Sequence, residues 1–114
     1  MNTLKFLILV IAIGASAAVR AEDTGPYQAG AIYSGDLANA EAGLLAILEK
    51  DPEDPYALLN LAFVYHKAGE TAKAREIYYR ILALKENPYA ELASGEAERV
   101  KSVAMRGIER VEAE

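Results

Sequence analysis

The chain has 114 residues, a formal charge of −5, one histidine, and neither cysteine nor tryptophan. Without cysteine there are no disulfides, no thiolate metal sites and no lipid-modified cysteine anchor. An acidic chain with no basic stripe argues against nucleic-acid binding and against adhesion to anionic membranes. Its length allows one small domain that helix packing alone must stabilise.

Residues 1–21 read as a secretory signal peptide. Lys5 precedes an uncharged apolar run over residues 6–19, and Val19-Arg20-Ala21 sets small residues at the −3 and −1 positions of a cleavage site. The apolar run is shorter than the roughly 20 residues that span a bilayer. Membrane attachment is therefore expected only if the leader is retained. Cleavage would leave Glu22 first and shorten the chain to 93 residues; with Lys5 and Arg20 removed, its charge becomes −7. The expected compartment is extracytoplasmic, the periplasm in a Gram-negative cell. Residues 22–26 are polar, contain Gly25-Pro26, and read as a flexible N-terminus.

Residues 27–54 and 55–88 carry one pattern twice. Gly35 and Gly69, Asp36 and Glu70, Ala40 and Ala74, Leu44 and Tyr78, Ile47 and Ile81, and Leu48 and Leu82 are each separated by 34 positions. That period marks a recurring helix–turn–helix unit. In residues 55–88, Leu58, Leu61, Ala62 and Tyr65 form one apolar stripe; Ala74, Ile77, Tyr78, Ile81 and Leu82 form a second. Gly69 falls where the first helix must end, in a turn at Ala68-Gly69-Glu70 tight enough to lay the two helices antiparallel. Between the units, Asp51-Pro52-Glu53-Asp54-Pro55 reads as a stiff linker with Asp54 as the N-cap. Its acidic spacing fits no calcium loop.

After Pro88, residues 89–93 suggest one or two helical turns ended by Ser94-Gly95. Val100, Val103, Ala104, Gly107, Ile108 and Val111 then predict an amphipathic helix over residues 96–112, with Glu96 and Glu98 in its first turn. This C-terminal region, residues 89–114, is expected to cap the stack. Gly107 in mid-helix costs about 1 kcal/mol relative to Ala and points to close helix contact.

These residues resemble the tetratricopeptide repeat family. Residues 55–88 look like one full motif, with Asn60-Leu61-Ala62, Tyr65, Gly69, Ala74, Tyr78 and Ile81 at its key positions and the closing proline two residues late, at Pro88. Residues 27–54 look like a truncated copy with Gly35-Asp36, Ala40, Leu44, Ile47 and Pro52. The first helix of that copy is short, because Pro26 falls where its middle would run. The resemblance implies an all-α fold: an antiparallel helix-turn-helix repeat stack, an α-solenoid fragment of one and a half repeats, closed by a C-terminal capping helix. It also implies a non-enzymatic scaffold that binds a protein or peptide through its concave face.

Tyr56, Leu59, Phe63 and His66 form another stripe on the helix that starts at Pro55. These positions resemble the family's ligand-contacting set. Asn60 matches an asparagine that some members use to hold a peptide main chain or terminal carboxylate; the Lys and Arg companions of that clamp are not matched, and Lys67 is the cation near the stripe. The stripe either lines an open groove or lies under the short first helix and the C-terminal cap. Self-association as a homodimer, or permanent membership of an envelope complex, is the competing expectation. No residue set has catalytic spacing: the lone His66 lacks a metal or nucleophile companion, Gly35 and Gly69 are turn glycines, and no cofactor or metal is expected. Of the tyrosines, Tyr27, Tyr65, Tyr78 and Tyr89 fall at packing or helix-start positions.

Overall fold

The computed structural model describes residues 27–114; the expected signal peptide and N-terminal tail lie outside them. The described chain forms α1 (Ala29–Ser34), α2 (Leu37–Lys50), α3 (Pro55–Lys67) and α4 (Thr71–Leu82), then β1 (Tyr89–Glu91), β2 (Ala97–Arg99) and α5 (Val100–Glu112). Helix α3 is central, packing on both α2 and α4, and α4 packs in turn on α5.

The 34-residue period reappears in the hydrogen bonds. Gly35 adopts φ 83° and Gly69 φ 84°. At the first turn the amides of Gly35 and Asp36 donate to Ile32 and Ala31; at the second those of Gly69 and Glu70 donate to His66 and Tyr65. Both helices thus end in the same left-handed closure, which satisfies carbonyls otherwise orphaned in the last turn. The linker follows expectation: Asp54 Oδ1 accepts from the amides of Tyr56 and Ala57 at 3.0 and 3.2 Å, with Pro55 opening α3.

Residues Ala57 to Tyr65 of α3 are buried without interruption. Its two apolar stripes therefore merge into a helix enclosed on all sides, as a centre of packing requires. The expected stripe of α5 is buried in full: Val100, Val103, Ala104, Gly107, Ile108 and Val111. Gly107 meets Tyr78 of α4, and a Cβ built there would lie 2.3 Å from the ring Cζ.

Two expectations for the C-terminal region are corrected. Residues 89–93 are not helical; Tyr89, Ala90 and Glu91 pair antiparallel with Arg99, Glu98 and Ala97. The hairpin turns at Gly95, φ 95°, and buries Ala90 and Leu92 while exposing Tyr89, the period-2 habit of a strand. Tyr89 is thus no helix-start packing residue: it opens a strand, half exposed, with the Arg99 guanidinium 4.0 Å over its ring. Helix α5 consequently begins at Val100, and Glu96 and Glu98 do not stand in its first turn. The first-turn amide of Lys101 is satisfied from a distance, by Asn87 Oδ1 at 3.0 Å. Glu98 instead pairs with Arg106 at 2.5 Å.

Candidate functional site

The stripe on α3 is tied down at both ends. Tyr56 donates its hydroxyl to the carbonyl of Tyr89 in the hairpin (2.9 Å), and His66 Nε2 meets Glu114, beyond α5, at 2.6 Å. Leu59 and Phe63, between these ties, are buried in a core shared with Ala90, Leu92, Val100 and Val103. Of the two alternatives for this stripe, the covered one holds. The hairpin and the C-terminal end are tied to this face at Tyr56 and His66, and Leu59 and Phe63 are core. Lys67 is exposed at the end of α3.

Asn60 is completely buried, and its side-chain amide donates to the main-chain carbonyl of Tyr27 at 2.9 Å. The Tyr27 hydroxyl donates to Asp54 Oδ2 at 2.8 Å, and its ring stands 5.6 Å from that of Tyr56, tilted by 59°. Burial pushes the Tyr27 phenol up, helped by the Asp54 carboxylate, and burial likewise raises that of Tyr56. The next residue, Gln28, takes a left-handed backbone at φ 64°, and its side chain lies where a Cβ on Gly43 would stand. Asn60, Asp54, Tyr56 and Gly43 therefore hold this chain's own Tyr27-Gln28. Binding at this face would require displacing an internal segment.

Among the described residues, an open apolar groove lies elsewhere. A groove of about 690 Å³ runs between α2 and α4, with Leu61 and Tyr65 of α3 as its floor. Its walls are Ala42, Leu45, Ala46 and Glu49 from α2, and Ile77 and Arg80 from α4. Leu45 is 43% exposed, a large apolar side chain held in solvent. It belongs to α2 but stands off the stripe of Ala40 and Leu44 that packs inward. At the N-terminal end of the groove the Tyr65 hydroxyl donates to Glu41 at 3.2 Å, and Lys73 stands 5.3 Å over the Tyr65 ring. Burial raises the Tyr65 phenol, with the Glu41 carboxylate adding to it. Glu49 and Arg80 mark the other end. The signal for this groove was present in the sequence: Ala38, Ala42, Leu45 and Ala46 recur at i, i+4, i+7 and i+8 on the outer side of α2. No titratable cluster of catalytic geometry accompanies it among the described residues.

A model of the tetratricopeptide repeat matches residues 31–98, from within α1 into the second strand. No curated protein and no solved structure gives a significant match to the chain.

Proposed function

The chain belongs to the tetratricopeptide repeat family, and from that footing we propose that it is an interaction module of the exported compartment whose docking surface is the groove between α2 and α4. Repeats of this family mediate protein–protein interaction, and the family is typically non-catalytic. The observation that carries the choice of surface is Leu45, an exposed leucine flanked by Ala42 and Ala46 over the apolar floor of Leu61 and Tyr65. The floor is buried within the chain, so the surface offered to a partner is the exposed side of α2, Leu45 with Ala42 and Ala46, beside a groove rimmed by Glu49 and Arg80. The face of α3 on which family resemblance would seat a peptide is filled by the chain itself. Export rests on the features of residues 1–21, and mass spectrometry of the protein from its native envelope tests it: Glu22 is the expected first residue, and an intact Met1 refutes processing.

Capture from the native envelope, with tagged wild type beside Leu45→Asp, tests the surface. Leu45 is half in water already, so the charge leaves the core intact and far-ultraviolet circular dichroism should match wild type. A protein bound by wild type and lost by the folded variant supports the groove. Equal capture by both refutes it.

A further inference from the structure

We propose that the occupant of the α2/α4 groove is a second copy of this chain, set across a twofold axis with the two α2 helices antiparallel. The inference rests on the docking surface argued above and names its partner. A twofold interface must be self-complementary, so the projection and the recess that receives it have to lie on one face. Here they do. Leu45 projects from α2, and the recess over Leu61, Tyr65 and Ile77 lies immediately beside it. The partner's α2 then rests between α2 and α4 while α2 rests between the partner's pair, giving a two-on-two layer of helices. Ala38, Ala42 and Ala46 carry the exposed side of α2 with no bulk beyond Cβ, so the two backbones can approach closely.

The charges at the two ends of the groove admit an antiparallel partner. Tyr65 contacts Glu41 and Lys73 at one end of the groove, and Glu49 and Arg80 line the other, so α2 and α4 run the same way. An antiparallel partner brings its Glu49 to the end where Lys73 stands, and the symmetry makes that pair twice. Glu49 joins no ion pair among the described residues, and Lys73, over the Tyr65 ring, pairs with Glu70 one turn before it at 3.1 Å with both side chains well exposed. Antiparallel helices also oppose their dipoles favourably.

Sedimentation equilibrium of the purified protein, with five variants, tests this. Wild type is expected to dimerise reversibly, with thermal stability that rises with protein concentration. Leu45→Asp should be monomeric with unchanged helicity. Glu49→Lys and Lys73→Glu should each weaken dimerisation roughly tenfold, since each reverses a pair made twice. The combined Glu49→Lys/Lys73→Glu variant should regain most of the loss, which a generally disturbed surface would not do. As a control away from the face, Arg99→Glu should dimerise as wild type. A monomeric wild type, a dimeric Leu45→Asp or a failure of the combined variant to recover overturns the proposal. If wild type is monomeric yet Leu45→Asp loses a captured protein, the docking surface stands with another occupant; if capture is also unchanged, both fall.

Discussion

Gly107→Ala sets two effects of known sign against each other. In an exposed helix the change stabilises by about 1 kcal/mol, because alanine loses less backbone freedom than glycine. Here the added methyl would lie 2.3, 2.5 and 2.7 Å from Cζ, Cε1 and Cε2 of Tyr78. Carbon atoms rest at roughly 3.5–4.0 Å, so the overlap exceeds an ångström. The ring is rigid and only 2% exposed, and cannot swing aside. Helix α5 must back away from α4, and overpacking of this kind costs about 1–3 kcal/mol or somewhat more. The net expectation is a loss of up to about 2 kcal/mol, a fall in Tm of up to roughly 16 °C for a domain of this size. Urea unfolding followed by circular dichroism measures it. The control is the same change in a Tyr78→Leu background, where the opposing ring is gone and Gly107→Ala should become neutral or stabilising. An alanine that stabilises the wild-type chain would refute close packing of α4 on α5 at this point.

Asn60→Ala removes a fully buried amide and strands the Tyr27 carbonyl, so we expect about 2–3 kcal/mol of destabilisation. Hydrogen exchange should locate the loosening at α1 and the start of α3; exchange unchanged there would refute the tie. The Tyr78 phenol is pushed up by burial, against a smaller opposing pull from Arg110. Its folded-state pKa lies above the unfolded value of about 10, so its contribution to stability is complete below that pH and is lost as the pH climbs beyond it. Tyr78→Phe should lessen the alkaline loss of stability, measured by urea unfolding across that range; identical pH slopes would refute the assignment. Leu59→Asp and Phe63→Asp place charge in the core, and each should unfold the chain by losing more than about 4 kcal/mol. A folded, soluble Leu59→Asp would mean that the α3 stripe is open after all.

The repeat was legible because its signals are local. Gly35 and Gly69 announce left-handed closures, Asp54-Pro55 announces a helix start, and the 3.6-residue stripes announce what each helix buries. The hairpin was not, for a physical reason. Tyr-Ala-Glu-Leu-Ala is built largely of good helix formers, and a three-residue strand is too short to display its period against them. Only Gly95 and the late Pro88 hinted at a turn between strands. The start of α5 was misplaced for a related reason: its amide is satisfied by Asn87, 14 residues upstream of Lys101, so no local cap exists to be read. The same holds at the site. Asn60 stood out as matching a residue that holds a peptide main chain or terminal carboxylate, and the main chain it meets is this chain's own, at the Tyr27 carbonyl 33 residues away. Side-chain chemistry was visible in the sequence; the identity of the group it meets is a matter of tertiary placement.

Closure of the inner face decides which surface is left for a partner. A long solenoid buries each repeat against two neighbours and leaves its concave face free. Among the described residues α2 and α4 flank α3 on two sides, and the remaining face carries Leu59 and Phe63, too apolar to leave in water. The chain closes that face with its own pieces: Tyr27 on Asn60, the hairpin against Tyr56, and α5 along the rest. Closure of the inner face is thus part of stability. It removes the inner face as a free binding surface and leaves the outer one. On that side α2 and α4 stand over the same floor with a groove between them, and Leu45 remains in solvent although the core offers it no place. A leucine on a helix that already buries Ala40 and Leu44 adds less to folding from that half-exposed position than a core leucine would. Its contribution is expected in an assembly, which is why a single charge at Leu45 should separate association from folding when no change at Leu59 can.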